Sequence, residues 1–138
     1  MSNLPIKIDY NENFDLAFRF VTETSENIFL TGKAGTGKTT FLKYLKAHCA
    51  KNIVVAAPTG VAAINAGGVT LHSLFQLPFH PFLPTRANKE ELLARLRFNK
   101  HRLQLMRKME LLVIDEISMV RADTMDAIDA ILRAVRRN

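Results

Sequence analysis

Residues 32–39 read Gly-Lys-Ala-Gly-Thr-Gly-Lys-Thr, and this stretch decides how the rest of the sequence is interpreted. Its pattern, G-x-x-x-x-G-K-[ST], is a phosphate-binding loop when it joins a buried strand to the start of a helix. Both flanks are present, because the apolar run 27–31 precedes the loop and an amphipathic stretch, 39–48, follows it. The sequence therefore predicts a strand over 27–31, a helix after the loop and an anion site between them.

The loop offers three kinds of group to a bound phosphate. Its glycines let backbone N–H groups turn inward, in front of the positive end of the helix dipole. Lys38 supplies an ammonium group for the β- and γ-phosphates, and the Thr39 hydroxyl is a ligand that suits Mg²⁺. The predicted nucleotide-contacting residues are Gly32, Ala34, Gly35, Thr36, Gly37, Lys38, Thr39 and Thr40.

Composition limits the class of protein. The 138 residues are 48% apolar and 23% charged, which allows one globular core but not two. The apolar runs are too short for a membrane helix and residues 1–5 lack the layout of a signal peptide, so we expect a cytoplasmic protein with no membrane partner. The single Cys49 is predicted to be a buried spectator thiol. The formal net charge of +6 favours a polyanionic partner such as nucleic acid.

Hydrophobic periodicity predicts an α/β fold, a parallel sheet flanked by helices. Apolar residues at helical spacing predict helical regions over 12–24, 61–66, 88–109 and 122–137. Short runs that are apolar throughout predict buried parallel strands over 53–57 and 111–114.

Two segments leave alternatives open. The loop 76–86 alternates prolines with Phe79 and Phe82, which is typical of either a packed connector or a recognition surface. The stretch from Arg95 to Lys108 holds six Lys or Arg and no acid. It forms either a solvated helical face or a contact for a phosphate backbone.

Asp115 and Glu116 follow the strand predicted over 111–114. The carboxyl ends of parallel strands meet at one edge of a sheet, so this acid pair is expected to face the phosphate loop. Asp115 would hold the Mg²⁺ shell together with Thr39, and Glu116 would orient or deprotonate the attacking water. A capping acid for the last helix is the alternative role for Glu116.

Three blocks of the sequence, 32–40, 57–73 and 113–120, resemble motifs I, Ia and II of superfamily 1B DNA helicases. The resemblance is to the petite integration frequency class, whose relatives include the RecD-like enzymes, and it extends over about residues 26–138. Its most specific part is the middle block, Pro-Thr-Gly-x-Ala-Ala-x-Asn followed by Gly-Gly-x-Thr-x-His-Ser. Many ATPases have the other two motifs, and few have this one.

The resemblance implies a RecA-like fold and ATP with Mg²⁺ as cofactors. It also implies single-stranded DNA as a partner, with Thr59 and Gly60 on its phosphate backbone and Thr70 and His72 near the strand. Hydroxyl and amide contacts of this kind suit a motor that must grip any sequence. A purely structural role is the alternative for His72. Members of the class couple ATP hydrolysis to movement on DNA in the 5′ to 3′ direction.

The sequence departs from the class in two ways. Residues 1–31 hold no Gln of the kind that reads adenine, and the sequence ends before the motif III Gln, the second RecA-like domain and its arginines. We therefore expect an incomplete first domain of a longer helicase, with the remaining helicase domains as partners, that binds nucleotide and hydrolyses it slowly. The strand that normally separates 27–31 from 111–115 is also missing. These two strands are predicted either to leave a gap or to pair directly, with unpaired backbone that favours self-association.

Two other functions are alternatives, and the first of them would keep motifs I and II but not the Gly67-to-Ser73 pattern. One is a different phosphate-loop NTPase that acts on DNA, such as a loader or a transposition ATPase. The other is a non-catalytic nucleotide- or DNA-binding fragment. The presence of Lys38, Thr39, Asp115 and Glu116 together argues against a decayed site.

Overall fold

A computed structural model of the chain describes residues 12–31 and 37–137. The chain divides into two compact units, one that ends at Lys51 and one that begins at Asn52. Their described parts are called here the helical unit, residues 12–31 and 37–51, and the sheet unit, residues 52–137.

The helical unit consists of two helices, α1 (Glu12–Glu23) and α2 (Lys38–His48), close to the ranges that periodicity predicts. Aromatic rings join them edge to face. The Phe14 ring lies 5.1 Å from that of Phe41, and the Phe18 ring lies 5.1 Å from that of Tyr44. The Lys51 ammonium donates to two carbonyls at the end of α1, at 2.8 and 2.7 Å, and so satisfies acceptors that the helix leaves open.

The strand predicted over 27–31 is wrong. These residues have no strand geometry, and the side chains of Ile28, Phe29 and Leu30 are 41%, 74% and 43% exposed. A strand is held by hydrogen bonds to a neighbouring strand, and residues 27–31 form no such ladder within the described residues. Direct pairing of 27–31 with 111–115 is therefore wrong as well. The predicted self-association stays a prediction.

The sheet unit is built on three parallel strands, β1 (Ile53–Ala57), β2 (Val69–Thr70) and β3 (Leu111–Ile114), in the order β2-β1-β3. The central strand is buried from Val54 to Ala57, as its continuous apolar run predicts. Around the sheet lie α3 (Gly60–Ala66), α4 (Leu71–Phe75), α5 (Arg86–Arg95), α6 (Lys100–Lys108), a 3-10 turn (Ile117–Met119) and α7 (Ala122–Arg136).

The glycine pair 67–68 turns the chain from α3 into β2. Gly67 has φ +70°, and the Gly68 N–H donates to the Ala63 carbonyl at 2.9 Å, which closes the helix with a left-handed cap. Gly68 has a different task. A Cβ built on Gly68 would lie 2.1 Å from the Val55 carbonyl oxygen, so the backbones of β1 and β2 approach closely only because no side chain is there.

The core of the sheet unit lies between the sheet and α4 to α7. Its largest fully buried side chains are Phe75, Leu71, Leu74, Met106, Ile128 and Ile131. Ile128 and Val135 of the predicted apolar face of α7 are buried, whereas Met125 at its start is 37% exposed. The range 88–109, predicted to form one or two helices, contains parts of two, separated around residues 96–99.

Arginines of the basic stretch 95–108 donate to backbone carbonyls at helix ends. Arg102 donates to two carbonyls at the end of α4, and Arg97 to two at the end of α5. Arg107 donates to the Val135 carbonyl near the end of α7, while Arg136 donates to carbonyls at the end of α6. These bonds satisfy acceptors at the negative ends of helices, a role that neither sequence alternative included.

Two other expectations concern the burial of Cys49 and the presence of membrane-spanning helices. Cys49 is half-buried at the end of α2 rather than fully buried. None of the helices in the described residues is long and apolar enough to span a membrane.

Candidate functional site

The acid pair lies at the carboxyl end of β3. The Asp115 N–H donates to the Ala56 carbonyl at 2.9 Å, which extends the pairing with β1 by one residue and fixes the half-buried Asp115. One oxygen of the Asp115 carboxylate accepts the Glu116 N–H at 3.0 Å. Glu116 itself is exposed.

Glu116 has φ +56° and ψ +45°, the left-handed region that side chains other than glycine seldom enter. This conformation costs about 1–2 kcal/mol for an L-residue with a Cβ. It turns the chain sharply out of the strand and into the 3-10 turn. Strain of this kind is common at functional sites, where the side chain justifies the cost.

The sheet brings four of the sequence-predicted site residues to the same edge. Thr59 follows β1, Thr70 ends β2 and is followed by His72, and Asp115 follows β3. Since the three strands are parallel, their carboxyl ends lie side by side. The sheet unit therefore gathers the predicted DNA-contacting residues and the acid pair at one edge.

Thr59 and Thr70 both cap helices. The Thr59 hydroxyl oxygen accepts the Ala62 N–H at 3.2 Å at the start of α3, and that of Thr70 accepts the Ser73 N–H at 3.2 Å at the start of α4. A hydroxyl that accepts one bond still has its proton to donate. Both threonines thus have a structural role that leaves their hydroxyl protons available.

A cleft of about 210 Å³ opens at this edge. It is smaller than the roughly 300–1,000 Å³ of typical small-molecule sites. Its lining includes Thr59, His72, Phe79, Met119, Arg121 and Asp123. Thr70 does not line it.

The rings of His72 and Phe79 stack at the cleft. Their centroids are 5.4 Å apart and their planes differ by 10°. Phe79 is 95% exposed, whereas its neighbours Phe75 and Phe82 are 0% and 5% exposed. Phe82 thus packs the loop against the core, whereas Phe79 stays exposed. A role of the exposed ring in recognition remains a prediction.

Two charged residues that line the cleft, Arg121 and Asp123, were not among those predicted from the sequence as site residues. The Asp123 carboxylate accepts the Phe82 N–H at 2.9 Å and the Arg121 Nε–H at 2.9 Å. The hydrogen bond from Phe82, followed by that from Arg121, lowers the pKa of Asp123. The sequence signal was an acid near the start of α7, which fits the helix dipole and gives no hint of a partner in the loop.

The nucleotide-contacting residues predicted from the loop fall on both sides of the described boundary. Gly32, Ala34, Gly35 and Thr36 lie outside the described residues. Gly37 has φ +91°, a conformation that favours glycine, and α2 begins at Lys38. Lys38 and Thr39 are exposed on its first turn and Thr40 is half-buried. Lys38 and Thr39 thus belong to the helical unit, while the acid pair belongs to the sheet unit.

The donor types suit magnesium. A threonine hydroxyl and a half-buried carboxylate offer the hard oxygen ligands that Mg²⁺ prefers, and Mg²⁺ usually takes one or two carboxylates and keeps several waters. Within residues 12–31 and 37–137 no cluster of three or more His, Cys, Asp or Glu could form a site made wholly of protein ligands.

Comparison with known proteins identifies the family. The model of the PIF1-like helicases matches residues 8–138. The chain belongs to the PIF1-like helicase family. The resemblance that the three motifs indicate is therefore confirmed.

Relatives in this family include the ATP-dependent DNA helicase PIF1 of Saccharomyces cerevisiae, which is 37% identical over 123 residues. That alignment covers 86% of this chain and 14% of the yeast protein, so the chain spans about a seventh of the relative's length.

Crystal structures of Pif1 from Bacteroides have the same fold. A complex with ADP-AlF4 is 51% identical with a TM-score of 0.83, over 94% of this chain and 29% of that one. A complex bound to single-stranded DNA is 52% identical with a TM-score of 0.81, over 94% and 28%. The predicted α/β fold class, a parallel sheet flanked by helices as in RecA-like ATPases, is confirmed.

Proposed function

We propose that the chain is the N-terminal, ATP-binding segment of an ATP-dependent DNA helicase and forms part of one RecA-like domain. In the whole protein, ATP hydrolysis would drive 5′ to 3′ movement along single-stranded DNA, with the remaining helicase domains as partners. One observation supports the proposal most strongly. The acid pair and the cleft with Thr59 and His72 share one edge of one sheet, inside one compact unit.

On the nucleotide side, the roles follow from charge and hydrogen bonding. Lys38 binds the β- and γ-phosphates, and the phosphate-loop residues Gly32, Ala34, Gly35, Thr36, Gly37 and Thr40 surround them. Thr39 and Asp115 would hold Mg²⁺, which would supply charge neutralisation when bound. Glu116 accepts a proton from the attacking water or orients it.

Glu116 combines exposure with a strained backbone, and both support a catalytic role. The N-cap of α7 is Arg121 rather than Glu116, and Asp123 already occupies the first turn of that helix. The strain fixes where the carboxylate leaves the strand. Glu116 is therefore assigned to the water rather than to the helix.

On the DNA side, the cleft supplies contacts that do not depend on base sequence. The Thr59 hydroxyl has a proton left to donate to a phosphate oxygen, and the space beside Gly60 is open within 4 Å of where a Cβ would lie. A DNA backbone can therefore approach this turn closely. Thr70 and His72 lie at the neighbouring strand end, and the net charge of +6 favours the polyanion.

The Bacteroides complexes support both halves of the proposal, because their Pif1 binds ADP-AlF4 in one crystal and single-stranded DNA in another. At about half identity over almost the whole chain, the same partners are a reasonable assignment here. The S. cerevisiae relative is named an ATP-dependent DNA helicase, which agrees with the proposed activity.

A domain exchange tests the proposal. This chain would replace the matching segment of Bacteroides Pif1, and ATP hydrolysis would be measured with and without oligo-dT, beside unwinding of duplexes with a 5′ or a 3′ tail. We expect DNA-stimulated hydrolysis and unwinding of the 5′-tailed duplex, while the 138-residue chain alone binds ATP and hydrolyses it slowly. A rate of ATP hydrolysis that does not change when DNA is added would favour a different phosphate-loop NTPase. Binding without any hydrolysis in the exchange protein would favour a non-catalytic fragment.

A further inference from the structure

Asp123 joins two parts of the sheet unit that are 41 residues apart in the sequence. Its carboxylate accepts the Phe82 N–H at 2.9 Å, and its side chain is 21% exposed. It also accepts the Arg121 Nε–H, so its two oxygens serve a loop on one side and the approach to α7 on the other. A carboxylate that accepts a backbone N–H makes a charge-assisted bond, which is stronger than a neutral one.

The loop that Asp123 holds carries the exposed ring of the cleft. Pro78, Pro81 and Pro84 have no N–H to donate, so few backbone donors are available to fasten the segment between α4 and α5. Phe82 is buried within this loop, and Asp123 accepts the hydrogen bond that its N–H donates. Phe79 lies three residues earlier, almost fully exposed, and stacks on His72.

The same carboxylate is close in sequence to the acid pair. Only the 3-10 turn Ile117–Met119 and a short extended stretch lie between Glu116 and the start of α7. Asp123 therefore links the loop that carries Phe79 to the segment that follows the acid pair at the end of β3. A shift of that segment would move the loop with it.

We propose that Asp123 is a positioning residue for DNA, which holds Phe79 over His72 so that the two rings form a stacking platform for a base of single-stranded DNA in the cleft. The inference rests on the proposed function, because it needs DNA at this edge of the sheet. An exposed aromatic ring suits this task, since every base has a face on which it can stack. The platform adds base stacking to the backbone contacts of Thr59.

The negative charge of Asp123 makes the inference easy to test, because loss of the charge and loss of the loop contact should change the affinity for DNA in opposite directions. Removing an acid beside a bound polyanion strengthens binding on electrostatic grounds alone. If Asp123 positions the platform, its removal weakens binding instead. Asp126, exposed on the same helix, is the matched control that loses the same charge without a loop contact among the described residues.

The affinity of the 138-residue chain for fluorescein-labelled oligo-dT measures the effect at constant salt. We expect Phe79→Ala to weaken binding by about 5- to 100-fold, the range for loss of one stacked base. Asp123→Ala should weaken it by a similar factor, and the double variant no more than the stronger single one. Asp123→Asn, which keeps an oxygen for the Phe82 N–H, should recover most of the affinity. Asp126→Ala should bind as wild type or slightly more tightly.

A spectroscopic signal separates positioning from general stability. The chain has no Trp, so Phe79→Trp places a single fluorophore at the tip of the loop. Without DNA, adding Asp123→Ala to this variant should lower the steady-state anisotropy of the Trp, and adding Asp126→Ala should not. With DNA, the Trp emission should be quenched, and less so when Asp123 is absent.

The possible outcomes separate a failure of this inference from a failure of the proposed function. If Phe79→Ala weakens binding while Asp123→Ala does not, or if the two effects simply add, the positioning role is overturned and the DNA cleft stands. If Phe79→Ala and His72→Ala both bind oligo-dT as wild type does, the cleft itself is not the DNA site and the inference fails with it. If Asp123→Ala does not fold, Asp123→Asn is compared with Asp126→Asn instead. A loss of affinity in Asp123→Asn as large as that in Phe79→Ala contradicts the positioning role, because Asn still offers an oxygen to the Phe82 N–H.

Discussion

Two helices meet through a few aromatic rings in the helical unit, whereas side chains of β1, β3 and α4 to α7 pack into a continuous core in the sheet unit. Within its described residues, the helical unit buries Val21, Phe41 and Leu45, and the rings of Phe14 and Phe18 are only half-buried. The sheet unit buries a cluster that runs from β1 through α4 to the end of α7. Because hydrophobic stabilisation grows with the apolar area buried, most of it belongs to the sheet unit.

The chemistry divides in the same way. The helical unit carries the ammonium and hydroxyl groups that are proposed to bind phosphate and metal, and the sheet unit carries the acids and the cleft that is proposed to bind DNA. A rigid sheet suits residues that must orient a water or a strand of DNA, since catalysis depends on position to within a fraction of an ångström. The comparison implies that variants in the sheet unit affect turnover and stability, and that variants in the helical unit affect nucleotide affinity.

The largest effect is expected at the acid pair. Glu116→Gln in the exchange protein with Bacteroides Pif1 removes the proposed base, so DNA-stimulated hydrolysis should fall about 10²- to 10⁴-fold while ATP affinity stays within about twofold. Measurement of ATP binding and single-turnover hydrolysis separates the two steps. A loss of ATP binding would instead make Glu116 structural.

The next effect concerns the core. Ile131 is fully buried on α7, so Ile131→Ala should lower the free energy of unfolding by about 2–5 kcal/mol. Phe18→Ala in the helical unit should lower it by only about 1 kcal/mol, since that half-buried ring makes an edge-to-face contact with Tyr44. Urea unfolding followed by circular dichroism measures both, with Ile131→Val as the mild control. Equal losses at the two sites would contradict the proposed difference between the units.

Nucleotide affinity tests the helical unit. Lys38→Ala removes a charge-assisted contact to phosphate worth about 1.5–3 kcal/mol, so the chain should bind ATP about 10- to 100-fold more weakly with its helical circular dichroism unchanged. Lys43→Ala, which removes the same charge from an exposed position on α2, should leave the affinity close to that of wild type. Similar affinities for Lys38→Ala and wild type would refute the assigned role.

These tests also show where sequence is sufficient and where it is not. The apolar runs 53–57 and 111–114 were correctly predicted as strands, because each run also has a pairing partner in the sheet unit. Helix α7 could be predicted because its apolar residues repeat at helical spacing. The run 27–31 has the same apolar character and is no strand, because a strand depends on a hydrogen-bonded neighbour as well as on its own residues. The apolar pattern of residues 27–31 describes these residues alone and does not show whether a neighbouring strand is present.

The site follows the same rule. The acid pair and the phosphate loop have local sequence patterns, and their roles remain predictions. The bond between Phe82 and Asp123 joins residues 41 apart and has no local signal. Similarly, three phenylalanines alternate with prolines, and only tertiary packing decides that Phe79 is exposed while Phe75 and Phe82 are buried.

A smaller effect sharpens the account of the sheet. Gly68→Ala places a Cβ about 2.1 Å from the Val55 carbonyl oxygen, so β1 and β2 must move apart. Overpacking of this kind costs about 1–3 kcal/mol. Gly60→Ala is the control, because the space beside Gly60 is open and alanine favours the helix, so it should be neutral or stabilise by up to about 1 kcal/mol. Thermal unfolding of both variants checks the contrast, which would be wrong if Gly68→Ala were as stable as wild type.

The smallest effect is a dependence on pH within the sheet unit. The Phe82 N–H and then Arg121 lower the pKa of Asp123 below 3.8, so the ionised carboxylate stabilises the folded state at any pH above that value. The stabilisation is lost as the pH falls through the lower, folded pKa. The difference in Tm between wild type and Asp123→Asn should therefore be constant from pH 7 to about pH 5 and shrink below about pH 4. A constant difference in Tm down to pH 2 would mean that the charge of Asp123 does not hold the loop.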